Sequence, residues 1–128
     1  MKKKKEPVMC PCGSGLSYGD CCGRFHAGEA APDAERLMRS RYSAFVKKDV
    51  SYLLKTWHPS TRPASLELEE PVRWLGLTVF ESSESGDEAF VRFEARGKYN
   101  GRAFKQCERS RFVRENGQWY YVDGDLQP

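Results

Sequence analysis

Residues 89–123 read AFVRFEARGKYNGRAFKQCERSRFVRENGQWYYVD. Apolar and aromatic residues alternate with polar ones along this stretch, the two-residue period of half-buried strands. The alternation is broken at Asn100-Gly101 and again at Asn116-Gly117. Asn-Gly is a preferred centre for a two-residue hairpin, because that turn needs positive φ at both positions. Strands are therefore predicted at 89–99, 103–114 and 118–123, antiparallel and joined in order. Upstream, 72–81 has the same β-branched and aromatic character, and Ser-Glu-Ser-Gly-Asp at 83–87 connects it to the rest. Four strands in a meander follow.

Before the strands the chemistry changes. Residues 60–71 carry two prolines and an acidic stretch ending in Glu69 and Glu70, which predicts a loop. Leu37, Met38, Tyr42, Ala44 and Phe45 recur at three- and four-residue spacing, so 34–48 reads as a helix with one buried face. Asp33 is its N-cap, and Lys47 and Lys48 suit its last turn. Asp49 caps a shorter helix over 50–57, which buries Tyr52, Leu53, Leu54 and Trp57 and ends at His58-Pro59. Residues 23–32, rich in Gly, Ala and Pro, read as a connector. Helices followed by a long antiparallel sheet indicate an α+β fold. Two or three N-terminal helices are expected to pack on a curved four-stranded sheet, closing a cone with an internal pocket.

Hydrophobic residues make up 39% and charged residues 30%, which excludes a low-complexity chain. No apolar run approaches the roughly 20 residues of a membrane span, and no apolar stretch follows the N-terminal lysines as in a secretory signal. A cytoplasmic protein is expected. Net charge is 21 − 18 = +3, and Lys2, Lys3, Lys4 and Lys5 alone exceed that excess. The basic character is thus a tail, with scope for weak contact to acidic lipid or nucleic acid. No aromatic platform for bases is visible outside the predicted core.

Five cysteines without a secretion signal argue against a disulfide framework. Cys10, Cys12, Cys21 and Cys22 lie within thirteen residues, the donor set of a tetrahedral zinc site. Gly13, Gly15 and Gly19 can take positive φ and let the intervening eight residues loop back. A vicinal disulfide and four free buried thiols are the alternatives. His26, four residues beyond Cys22, competes as fourth ligand. Four protein ligands leave no open position, so the zinc is read as structural. The metal would hold together residues 1–28, which have too few apolar side chains for a core, ahead of an α+β domain at 29–128.

Cys10-x-Cys12-Gly13-Ser14-Gly15 followed by Cys21-Cys22 resembles the SEC-C motif, the zinc-binding segment also found at the end of SecA proteins. That resemblance implies zinc ligation by the four cysteines; in SecA-type proteins the motif is associated with a chaperone partner and acidic lipid. The chain is also similar to the YchJ-like family of bacterial proteins. The similarity runs through MRSRYSAF at 38–45, TWHPSTR at 56–62, ERSRF at 108–112 and WYYVDG at 119–124. It implies an N-terminal SEC-C motif joined to a nuclear transport factor 2-like domain, and it implies no reaction. Some relatives carry a second SEC-C motif at the C-terminus; the sequence to Pro128 shows none, so a function needing two such segments is not expected.

Strand alternation nominates the pocket lining. Phe104, Gln106, Glu108, Ser110 and Phe112 share one face, and Trp119, Tyr121 and Asp123 share another. Arg41 falls on the buried side of its helix and needs a partner, for which Glu108 is the candidate; Arg36 and Arg39 read as solvated. An acid–base enzyme or small-molecule binder would use Glu108 or Asp123 as base, with help from His58 or Tyr42. Trp57, Trp74 and Trp119 would be its apolar walls. The more economical expectation is a protein-interaction or adaptor module, which needs no catalytic group.

Overall fold

The computed structural model describes residues 8–68 and 72–127; the lysines at 2–5 and the acidic pair Glu69 and Glu70 lie outside the described residues. A 3₁₀ turn, Tyr18–Asp20, leads into helices α1 (Cys22–His26), α2 (Ala34–Lys47) and α3 (Val50–Lys55). Strands β1 (Val72–Ser85), β2 (Glu88–Tyr99), β3 (Arg102–Glu115) and β4 (Gln118–Gln127) follow. They form one antiparallel sheet in the order β1-β2-β3-β4. Three helices packed on an open four-stranded meander are the expected α+β architecture.

Local chemistry sets the helix ends. The Asp33 side chain accepts from the Arg36 N–H at 2.8 Å, and the Asp49 side chain accepts from the Tyr52 N–H at 3.1 Å. Lys48 ends α2 as a left-handed C-cap with φ of 58°, one residue beyond the helix. Helix α1 occupies part of the predicted connector. Five residues are too few to show a helical period, and burial of Phe25 in the core holds this turn instead.

Two strands outrun their sequence limits. β1 stays paired to the Ser85–Glu88 step, so the first hairpin is only Gly86-Asp87. β4 continues past 123 and pairs back to Cys107. Register shifts bend β1 at Trp74/Gly76 and Val79/Glu81. In β4 the register passes from Arg111–Asp123 to Phe112–Tyr121, leaving Val122 as an extra residue. Beyond such a bulge, side chains switch faces.

Ala89, Val91, Phe93 and Ala95 of β2 face the helices and join one hydrophobic cluster with Leu37, Met38, Leu53 and Phe112. Cys10, Cys12, Cys22 and Phe25 belong to the same cluster. On the outer face, Arg92 stands opposite Arg109 and Arg96 opposite Lys105. Like charges so placed repel. Cation–π contacts offset this: Arg92 lies 5.0 Å over Phe80, and Arg109 lies 3.9 Å over Phe90. The rings of Phe80 and Phe90 thus sit on the outer face, each beneath an arginine.

Tyr52 ties α3 to α2. Its hydroxyl meets Ser40 Oγ at 2.7 Å, and Ser40 donates onward to the Leu37 carbonyl. Burial, countered in part by the Ser40 hydrogen bond, pushes the Tyr52 phenol up to about 12. The folded chain thus holds a proton that the unfolded chain releases near pH 10, so stability drains as pH rises from about 10 to 12. In urea titrations Tyr52→Phe should flatten this decline by about 2–3 kcal/mol, at about 1.4 kcal/mol per pKa unit.

Candidate functional site

Residues 8–18 fold as a small hairpin. Met9 bridges Ser17, the Tyr18 N–H donates to the Val8 carbonyl at 2.8 Å, and the Cys10 N–H donates to the Leu16 carbonyl at 3.0 Å. Gly13 and Gly15 take φ of 79° and 88°, which turns the chain between the two cysteine pairs. Gly19 does not adopt positive φ; it lies inside the 3₁₀ turn. Gly23 is needed for space, because a Cβ there would stand 2.6 Å from the Tyr18 carbonyl oxygen.

This path gathers the Sγ atoms of Cys10, Cys12, Cys21 and Cys22 within 4.8 Å of one another. Cys12–Cys21 and Cys21–Cys22 are separated by 3.6 and 4.0 Å. A tetrahedron with metal–sulfur bonds of ~2.3 Å has sulfur–sulfur edges of ~3.8 Å, so the spacing fits one metal ion. Hydrogen bonding between Cys12 and Cys22 draws the Cys12 thiol down to about 4 and pushes the Cys22 thiol up. Ser14 Oγ lies 3.2 Å from Cys21 Sγ, and Ser43 Oγ of α2 lies 3.5 Å from Cys10 Sγ.

His26 does not join the quartet. Its Nε2 faces the Ser40 carbonyl at 2.8 Å and therefore carries the proton, while Nδ1 meets the Tyr18 hydroxyl at 2.6 Å. Both ring nitrogens are used in pinning α1 to α2. Arg39 is not simply solvated: it donates to the Cys12 carbonyl at 3.0 Å and pairs with Glu35. A cation thus stands beside a cluster of sulfur ligands that would be anionic when loaded.

On its other side α2 covers a cavity of about 240 Å³. Arg41, Tyr42, Trp57, Trp74, Gln106, Glu108 and Ser110, all nominated from sequence, line it. Met38, Phe45, Phe93, Ala95, Phe112 and Tyr121 complete the wall. The β2 residues among them were legible from the alternation of 89–95 but were not nominated. Burial, together with the charge of Glu108, pushes the Tyr121 phenol up to about 12.

Arg41 is 5% exposed, and Glu108 is not its contact partner. Its Nη1 donates to the Leu53 carbonyl at 2.8 Å and to Thr56 Oγ1 at 2.7 Å, both at the end of α3. Its Cζ lies 4.6 Å over the Tyr121 ring and 5.3 Å over Trp57. Glu108 instead accepts from Ser110 Oγ at 2.5 Å and from Gln106 Nε2 at 3.4 Å. Its carboxyl lies against Gly124, where a Cβ would come 2.6 Å from Cδ.

Four nominated residues lie outside the cavity lining, among them Phe104, whose ring packs 5.6 Å from that of Trp74. The bulge at Val122 puts Asp123 opposite Arg111, which it grips through two hydrogen bonds at 3.2 and 3.1 Å. Trp119 is packed in the core, with Nε1 unpartnered among the described residues. His58 Nδ1 accepts from the Ser60 N–H, so Nε2 donates to Glu115 at 2.7 Å. The acid–base set read from sequence thus loses Asp123 and His58.

Comparison with known proteins bears on both halves of this site. The family model described as YchJ, middle NTF2-like domain, matches residues 33–124, and the SEC-C motif matches residues 9–24. The chain belongs to the YchJ-like family. A UPF0225 protein of Bordetella parapertussis is 53% identical over 131 residues, covering 98% of each chain. One from Xanthomonas campestris pv. campestris is 57% identical over 118 residues, covering 89% of this chain and 92% of the relative. The solution structure of a SEC-C motif containing protein from Rhodopseudomonas palustris has a TM-score of 0.84 at 36% identity. It covers 93% of this chain and 98% of its own. A crystal structure of a SEC-C motif containing protein from Psychrobacter arcticus gives 0.77 at 31% identity, covering 93% and 82%.

Gly124→Ala should displace the Glu108 carboxylate and cost about 1–3 kcal/mol as an overpacking change. Urea unfolding measures the loss, and amide shifts at Ser110 report the displacement.

Proposed function

We propose that the chain is a zinc-stapled protein-interaction module of the cytoplasm. Cys10, Cys12, Cys21 and Cys22 hold a structural zinc in a segment at 1–28, and the domain at 29–128 carries it. Tetrahedral sulfur spacing suits zinc or iron. Zinc is preferred because a closed set of four sulfurs offers no open position, and redox-inert Zn²⁺ then serves as a cross-link. The four thiolates and the ion would carry −4 + 2 = −2, beside which the Arg39 guanidinium is well placed.

Exposure of large apolar side chains on the hairpin that the metal would hold carries the docking reading. Val8 is 72% exposed, Met9 55% and Leu16 53%. A rigid hairpin with outward apolar groups, preceded in sequence by four lysines, suits an acidic, partly apolar segment of a partner protein. Lys2, Lys3, Lys4 and Lys5 would add attraction that acidic lipid or nucleic acid could share.

Two measurements test this. Elemental analysis of reduced protein isolated without chelator should return one zinc per chain, with less than a tenth of that in Cys12→Ser; absence of metal, or iron in its place, overturns the assignment. In affinity capture, an acidic partner held by the intact protein should be lost with both Leu16→Glu and Cys12→Ser. Retention by Leu16→Glu would overturn the docking surface, as would binding only to anionic vesicles or nucleic acid.

A further inference from the structure

The geometry points to the cavity under α2 as a binding site for a small organic carboxylate with a flat apolar body, gripped by the free edge of Arg41. This goes beyond the docking reading and does not rest on it.

A guanidinium has five N–H donors. Arg41 spends only Nη1, on the Leu53 carbonyl and Thr56 Oγ1. Nε and Nη2 donate to nothing among the described residues. The only side-chain nitrogen or oxygen sealed off without a partner among those residues is Trp119 Nε1. Nε and Nη2 are therefore accessible, and for a residue 5% exposed that lines the cavity, the access is from the cavity. A purely structural buried arginine would be expected to saturate its donors, since an unpaired buried charge is costly.

The Nε/Nη2 edge presents two parallel N–H bonds, the fork that takes a carboxylate bidentately. It is also held still. Tyr121 and Trp57 stack against the guanidinium, and Thr56 Oγ1 donates to the Tyr52 carbonyl at 2.8 Å, which orients its lone pair toward Arg41. Such fixation lowers the entropy lost on binding.

Aromatic rings form the walls beyond: Tyr42, Phe45, Trp74 and Phe93. A volume of about 240 Å³ corresponds to about eight waters at ~30 Å³ each, room for one ring and a short chain. A phosphate dianion is poorly matched, because one cation shares the cavity with the Glu108 carboxylate. Glu108 would also favour an ammonium beside the ligand's carboxylate. Two sources therefore share the chemistry: a simple arylalkanoic acid and an aromatic amino acid.

Titration with 3-phenylpropionate, L-phenylalanine and neutral 3-phenylpropionamide, followed by amide NMR shifts, tests the proposal. At least one carboxylate should bind tenfold or more tighter than the amide and shift Arg41, Ser110 and Tyr121. Arg41→Gln should remove that advantage. Ala95→Leu, which fills the cavity and leaves Arg41 in place, should abolish binding of every probe and decides the matter if Arg41→Gln does not fold. Preference for phenylalanine that is lost in Glu108→Gln supports the site with an amino acid as source. Preference for phenylpropionate supports it with a simple acid. Equal binding of the amide, undiminished binding by folded Arg41→Gln or by Ala95→Leu, or no binding of any probe overturns it. Metal content, read in parallel, keeps this outcome separate from that of the zinc assignment.

Discussion

Helix α2 is covered on two sides, and the rest of the molecule is arranged around that constraint. Ala34, Leu37, Met38, Ser40, Arg41, Tyr42, Ser43 and Ala44 are all buried, which is more than one helical face. The sheet covers one side. The other receives α1 and the cysteine hairpin, through His26 on Ser40, Cys10 on Ser43 and Arg39 on the Cys12 carbonyl. Residues 8–26 bury little apolar area beyond Phe25, the cysteines and part of Tyr18, since Val8, Met9 and Leu16 point outward. A metal ion held by the four sulfurs, as proposed above, would supply the stabilisation that so short a cover otherwise lacks, as in other small metal-bound segments.

The inward charges of the domain are handled in three different ways, and each follows from burial. Arg41 keeps its charge because a helix-end carbonyl, a hydroxyl and two aromatic faces replace part of its water. Glu108 is steadied by its own strand, through Ser110, and by the glycine beside it on β4. Asp123 is expelled: one extra residue in β4 carries it to the outer face, where Arg111 meets it. What remains inside is one cation edge and one carboxylate among rings.

Much of this was legible in the residues themselves. Two Asn-Gly steps and a strict two-residue period dictate the meander, because turn chemistry and pleat leave no other pairing of neighbouring strands. Asp33 and Asp49 mark the helix starts through their side-chain oxygens. Four closely spaced cysteines with glycines between them announce a metal-sized cluster, since ligands so near in sequence can converge through local geometry alone. The same locality explains why the family resemblance was visible in short segments.

The cavity was another matter. Alternation assigned Asp123 and Trp119 to it, and the bulge at Val122 is a property of how β4 pairs with β3, with no residue signature of its own. Partner choice for Arg41 was equally hidden: Leu53 and Thr56 at the end of α3 and Tyr121 of β4 meet the guanidinium only after α3 packs on α2 and the backbone of residues 56–58 pairs with Tyr121. Local periodicity and turn chemistry thus settled the elements, their order and the sulfur quartet. Long-range register and helix docking settled which charges face inward and what each one touches, because burial is decided by neighbours distant in sequence.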